Sequence, residues 1–196
     1  MKRIKSQPLR LAVSQLFFIL MLSLPLLTFP ADSVFPRFLP DMLAFTCLSL
    51  WGLFTVAQKE TRAQSLELNS LSMLALVWAA LVLAQHATGL IQTYWSFTFI
   101  SLGYFLAMVL IGGLVKLWIN AGYKKELFQS FLTAILLVSV INALVVLIQS
   151  SPYIELFSPV IEKGNAARPG GFISQTNIAG SWFVCGLVAL IFINSS

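Results

Sequence analysis

The chain has 196 residues, 58% of them hydrophobic and only 10% charged, where an ordinary soluble domain carries about 25% charge. A fold of this length has too little interior to hide so much apolar surface, which excludes a water-soluble globule and leaves lipid as the solvent. The net charge of +5 comes from short basic clusters between apolar runs rather than from a stripe or an aromatic-interleaved patch, so no nucleic-acid partner is expected.

A bilayer core of about 30 Å is crossed by roughly 20 apolar residues in a helix. Six runs approach that length, at 9–29, 42–57, 68–83, 94–118, 127–148 and 177–193. The first follows the basic start Lys2, Arg3 and Lys5 and carries Arg10 at its beginning, and Ala31 stands just after Pro30. Its apolar stretch exceeds the roughly 7–15 residues of a cleavable signal, so it is read as a retained span that Pro25 ends or kinks. The second run is short and contains Cys47. The third closes with Gln85 and His86, a side chain able to do acid–base or hydrogen-bonding work. The fourth is long enough to tilt; Lys116 near its end can snorkel, and Trp95 and Trp118 stand where interfacial aromatics do. Gly103 and Ala107 in the fourth run, and Ser181 and Cys185 in the sixth, form small-xxx-small pairs expected at helix contacts. In the fifth run Ser139, Asn142 and Gln149 share one helix face, which predicts that this face looks into the protein.

The longest connection, 149–176, holds Glu155, Glu162, Lys163 and Arg168. Loops of this length are usually functional or disordered. Within it, Tyr153 to Ile161 has an apolar face suited to a short interfacial helix. No loop is long enough to fold alone as a soluble domain, and there is no internal repeat.

Basic residues set the orientation. One set of loops and ends holds Lys2, Arg3, Lys5, Arg10, Lys59, Arg62, Lys116, Lys124 and Lys125, whereas the alternate set holds only Arg37, Lys163 and Arg168. The expected fold is an all-α polytopic transmembrane bundle over 1–196, with about six spans and a cytoplasmic N-terminus. The connections 30–41, 84–93 and 149–176 would then face outward.

Soluble-enzyme motifs are absent: no Walker loop, GxGxxG, GxSxG or HExxH occurs. A single histidine and two cysteines without CxxC spacing provide no metal site, and no cofactor is expected. The strongest local pattern is Arg168-Pro-Gly-Gly-Phe-Ile-Ser-Gln175-Thr-Asn177-Ile-Ala179-Gly180. Pro169, Gly170 and Gly171 make a tight turn, and Thr176 or Asn177 can cap the helix that follows. A helix N-terminus beside an arginine is suited to an anion at headgroup level. The same residues also suit a plain turn and cap, with Arg168 against lipid headgroups.

This segment resembles the motif of bacterial pilin-type O-oligosaccharyltransferases and, more loosely, the O-antigen ligase and polymerase superfamily. Arg168, Gly171, Gln175, Asn177 and Ala179 match that motif, while Thr176 stands where the family usually has proline. The resemblance implies a multi-pass protein of the bacterial inner membrane. It would transfer a glycan from undecaprenyl pyrophosphate to a periplasmic hydroxyl, on a pilin, another protein or a lipid A core sugar. Arg168 would contact the pyrophosphate, with Gly171, Gln175 and Asn177 orienting it or bracing the loop. His86 is a further candidate from its place at the outer face. The resemblance also implies later spans and a larger periplasmic loop with catalytic Arg and His, so the chain is expected to be the N-terminal portion of such an enzyme. Two other readings stay open: a transporter or channel component, and a non-catalytic membrane assembly subunit.

Overall fold

A computed structural model describes residues 7–26, 38–62, 64–65, 67–90, 94–157 and 176–194. The protein is all-α. Its helices are α1 (Gln7–Ser23), α2 (Phe38–Val56), α3 (Lys59–Arg62), α4 (Ser70–Ala87), α5 (Trp95–Asn120), α6 (Lys124–Gln149), α7 (Ile154–Phe157) and α8 (Thr176–Asn194). Three of them contain stretches long and apolar enough to cross a membrane: Ser70–Ala87, Thr98–Asn120 and Lys124–Gln149, with mean hydropathies of 1.6, 2.1 and 2.8. Shorter apolar helical stretches cover Leu9–Ser23, Met42–Val56 and Gly180–Asn194. This is a multi-pass membrane protein.

The helix ends follow from local chemistry. α1 stops at Ser23 and tightens into a 3-10 turn over Leu24–Leu26, because the ring of Pro25 disfavours α geometry at Leu24 and removes a backbone donor. α4 starts at Asn69, an extended residue whose side-chain oxygen accepts from the Ser72 N–H at 2.8 Å, so one otherwise orphaned donor is satisfied. α5 ends where Gly122 takes φ +88°. There the Tyr123 N–H reaches the Trp118 carbonyl and the Gly122 N–H the Ile119 carbonyl, a paired closure that needs a left-handed residue. Of the expected interfacial helix at 153–161, the turn Ile154–Phe157 is helical, and 158–161 lie outside the described residues.

The chain divides into two compact units, Met1–Leu11 with Gly52–Leu127, and Ala12–Trp51 with Phe128–Ser196. In the first, α4 and α5 form an antiparallel hairpin. The residues of α4 that are buried or half-buried are Ser72, Ala75, Ala79, Val82 and His86. This alternating spacing of three and four is a left-handed packing seam. Around the rest of α4, Leu71, Met73, Leu74, Val77 and Trp78 are each about half exposed. A helix apolar on all sides and covered on one narrow stripe requires a lipid solvent.

The clasp of this hairpin is polar and close. Asn69 Nδ2 donates to the Gly112 carbonyl at 3.1 Å, and Ser72 Oγ donates to the Val109 carbonyl at 3.1 Å. Gly112 is required here, since a Cβ on it would collide with Ser72 Oγ and lie 2.8 Å from Asn69 Oδ1. The small pair expected at Gly103 and Ala107 is not the close contact: a Cβ on Gly103 would meet nothing within 4 Å. Trp118 also departs from expectation. It is fully buried, and its indole Nε1 donates to Thr55 Oγ1 at 2.8 Å, so it anchors α5 to the end of α2 instead of sitting in a lipid interface. Beside it, Thr61 Oγ1 bonds the Thr55 and Gln58 carbonyls. Burial, together with the Glu60 and Glu126 carboxylates, raises the Tyr123 hydroxyl above its ordinary pKa and keeps it a neutral donor to Glu60. Lys116 Nζ stands 3.8 Å from Glu67 Oε2, an exposed pair at the same end of α5.

In the second unit, Phe18 of α1 and Trp51 of α2 pack with ring centroids 4.7 Å apart. The buried residues of α6 include Ser130, Ala134, Val138, Ser139, Asn142, Val145 and Gln149. The polar face expected from Ser139, Asn142 and Gln149 does turn inward, and all three are nine-tenths or more buried.

Replacing Gly112 and Gly103 separately with alanine tests the clasp. Both changes gain helix propensity, about 1 kcal/mol, but only Gly112→Ala also forces the Asn69 and Ser72 side chains apart, an overpacking cost of about 1–3 kcal/mol. Unfolding in mixed micelles is expected to show Gly112→Ala as the less stable of the two by about that overpacking cost.

Candidate functional site

The motif that opens the last helix meets the structure at one point. α8 begins at Thr176, so Asn177 lies in its first turn and Gln175 immediately precedes it. Arg168, Gly171 and Gln175 lie outside the described residues, as does the whole 158–175 stretch that carries Glu162 and Lys163. The first-turn N–H groups of α8 have no intrahelical acceptors, which makes this end electropositive.

What holds α8 in place is well defined. Ser139 Oγ lies 2.7 Å from the Trp182 carbonyl and 2.8 Å from the Ile135 carbonyl one turn back on α6, so a single hydroxyl proton serves both. That approach is available because Gly186 has no side chain: a Cβ there would collide with the Cβ of Ser139 and stand 2.5 Å from its Oγ. Gly186 is buried, whereas Ser181 and Cys185, the small pair singled out in the sequence, are exposed. The pair has the right spacing on the wrong face. Trp182 is six residues into α8, about 9 Å along the helix from Thr176 at 1.5 Å per residue. The clasp therefore restrains the half of α8 that carries the motif. Asn142, one turn beyond Ser139, is fully buried and donates Nδ2 to the Val138 carbonyl at 3.0 Å.

His86 belongs to a different constellation. It lies in the last turn of α4, and its Nδ1 shares a hydrogen bond of 3.0 Å with Thr98 Oγ1 in the first full turn of α5. Its ring rests on Trp95 with centroids 3.8 Å apart, and Trp95 in turn lies 5.8 Å from Phe99. Thr98 is buried and His86 half-buried, while Trp95, Tyr94 and Phe99 are exposed. The arrangement latches the open end of the α4–α5 hairpin with one polar contact beneath an aromatic rim. A rim of this composition matches the headgroup level of a bilayer. His86 pairs with Thr98 and stacks on Trp95, the geometry of a latch between α4 and α5. No group of His, Cys, Asp or Glu suited to a metal occurs among the described residues.

Sequence reasoning missed Asn69, Ser72 and Gly112. Asparagine directly before an apolar helical run is a cap signal, and the Gly112-Gly113 pair inside a span marks close approach; together they would have pointed to the clasp.

The His86–Thr98 contact should behave as a packing hydrogen bond within the membrane, for which coupling averages about 0.6 kcal/mol. A double-mutant cycle of His86→Ala and Thr98→Val, read by unfolding in micelles, is expected to give a coupling of that order, while Thr98→Ser retains stability. Comparison with family models, characterised proteins and solved structures finds no match to this chain.

Proposed function

We propose that this chain forms the carrier-lipid-recognising part of a bacterial inner-membrane glycan transferase of the O-oligosaccharyltransferase and O-antigen ligase type. It has six spans in this reading, with its N-terminus in the cytoplasm. The observation that carries the proposal is the Arg168–Gly180 sequence, an arginine and a Pro-Gly-Gly run that precede a helix starting at Thr176. The donor is a glycan on undecaprenyl pyrophosphate and the acceptor a periplasmic hydroxyl. In the transfer, the hydroxyl oxygen forms a bond to the anomeric carbon of the glycan. The bond from that carbon to the pyrophosphate oxygen breaks, and the carrier leaves with an added negative charge. A fixed guanidinium and helix-start N–H groups stabilise that charge as it develops. Arg168 meets the pyrophosphate in this reading, Gln175 and Asn177 orient it, and Gly171 lets it approach the backbone. The base that takes the acceptor proton belongs to the periplasmic loop that the resemblance implies.

The orientation rests on the basic-residue bias, and contacts within the first unit support it. Arg10 Nη1 approaches the Ala57 carbonyl at 3.5 Å, Gln64 Nε2 donates to the Asn120 carbonyl at 3.0 Å, and Lys116 faces Glu67. These contacts gather residues near Lys59, Arg62, Lys124 and Lys125 at one end of the hairpin, as the positive-inside rule requires. Ion-coupled transport is the weaker alternative, because beyond its first turn the buried polar residues of α6 are Ser130, Ser139, Asn142 and Gln149, none of them ionisable.

Two experiments test the reading. Arg168→Ala is expected to weaken binding of undecaprenyl pyrophosphate about tenfold to a hundredfold, the loss of one charge-assisted contact, and Arg168→Lys to recover part of it. Wild-type affinity in the alanine variant would sink the assignment. For orientation, cysteines are introduced one at a time in a Cys47→Ala, Cys185→Ala background and treated with a membrane-impermeant maleimide in intact spheroplasts. Thr88→Cys should be modified at once, and Lys124→Cys only after lysis; the reverse order would invert the topology.

A further inference from the structure

The second unit contains a cavity of about 390 Å³ between three helices. One face of α1 lines it with Ala12, Gln15, Leu16 and Ile19, at the spacing of successive turns. α6 contributes Gln129, Ser130 and Thr133, and α8 contributes Ile193. The cavity is open on one side, since Leu16 and Thr133 are exposed. It lies at the far end of α8 from the motif: Ile193 is 17 residues beyond Thr176, about 25 Å along the helix.

Two features decide what the cavity suits. First, half of its eight lining residues can hydrogen-bond, and none is charged. An ionised headgroup would be left unpaired there, at a large desolvation cost. Second, the polar groups lie within the hydrocarbon. α6 has 26 residues, about 39 Å at 1.5 Å per residue. With the helix centred on a core of about 30 Å, Gln129 stands about 11 Å from the midplane and Thr133 about 5 Å. A wall facing only acyl chains would be apolar at that depth, as the outer face of α4 is. Each carboxamide offers two donors and two acceptor lone pairs, so one intrachain bond leaves capacity for a ligand. Thr133 Oγ1 donates to the Gln129 carbonyl at 2.8 Å and retains its lone pairs. Mostly apolar walls, a few converging polar groups and this volume are the usual make-up of a small-molecule site between helices.

We infer that this cavity binds the uncharged, oxygen-bearing part of an aliphatic lipid, an ester or hydroxyl group. Gln15, Gln129 and Thr133 take the oxygen, and Leu16, Ile19 and Ile193 take the adjoining chain. Two sources share this chemistry, the ester region of a bilayer phospholipid and a free long-chain alcohol.

The test uses the 196-residue chain in phosphatidylethanolamine–phosphatidylglycerol nanodiscs with three diazirine probes. One is a fatty alcohol, one a phosphatidylglycerol labelled beside its ester, and one an alkane of equal length. The oxygen-bearing probes are expected to concentrate on the α1 and α6 peptides around Gln15 and Gln129, while the alkane spreads over all lipid-exposed faces, including Leu74–Trp78. Gln15→Leu with Gln129→Leu should cut the focused labelling about tenfold, the loss of two hydrogen bonds. Thr133→Val, a near-isosteric change at an exposed position, should reduce it in part, and Ile19→Trp, which fills the space, should abolish it. Labelling by the phospholipid assigns the ester source, and labelling by the alcohol alone assigns the free alcohol. Focused labelling that survives in variants with wild-type thermal unfolding overturns the inference. So does an oxygen-bearing probe that spreads like the alkane.

Discussion

Helices in a bilayer gain little from burying apolar side chains against one another, because the lipid they leave is equally apolar. Association must then come from close backbone approach and from polar groups that find no partner in lipid. Both units of this protein meet that constraint with the same device. A glycine on one helix lets a serine of its neighbour reach main-chain oxygen: Ser72 against the α5 backbone at Gly112, and Ser139 against the α8 backbone at Gly186. Asn69 adds a second function at the first contact, since its oxygen caps α4 while its amide donates to α5. One side chain thus satisfies a helix terminus and fixes the neighbouring helix, which explains why a narrow seam suffices to hold α4 while the rest of its surface stays with lipid.

The same constraint determines what could be read from sequence. Helices were legible because a span needs length and apolar character, and both are properties of consecutive residues. One end was legible from local chemistry, at Pro25; the Asn69 cap and the left-handed Gly89 and Gly122 use equally local chemistry and were missed. The face each helix buries was legible only where polarity marked it, at Ser139, Asn142 and Gln149. On α4 and α5 most residues of both the lipid and the protein faces are apolar, and the few polar ones at the contact, Ser72, His86 and Thr98, are too widely spaced to give periodicity a direction. Spacing alone then chose Gly103 with Ala107, and Ser181 with Cys185, over Gly112 and Gly186. Trp118 misled for a related reason: a tryptophan at the end of a span looks the same in sequence whether its indole meets a headgroup or, as here, Thr55.

Less of the candidate sites was legible, and the difference is again one of range. The Arg168–Gly180 pattern is contiguous and could be seen at once, and the helix it leads into begins at Thr176. The His86 latch required knowing that α4 and α5 fold back so that Thr98 and Trp95 meet the ring. The cavity draws on 12–19, 129–133 and 193, segments brought together only by packing, and nothing in any one of them announces it.

The distribution of charge links these features to function. Every polar residue buried along α6 is neutral, so the interior that α6 faces can orient a hydroxyl, an amide or an ester but offers no group to stabilise a full charge. On the proposed reading, chemistry on a pyrophosphate belongs at a helix end near water, where unsatisfied N–H groups stand and Arg168 is close in sequence, and not in the middle of the bundle. A polyprenyl pyrophosphate has a matching division, a long tail that dissolves in the bilayer and a charged head that cannot enter it. On the proposed reading the two ends of α8 serve opposite chemistries. The end at Thr176 meets an anion at the surface, and the end at Ile193 borders a neutral cavity within the hydrocarbon. The Ser139–Gly186 contact between them sets the position of the helix for both.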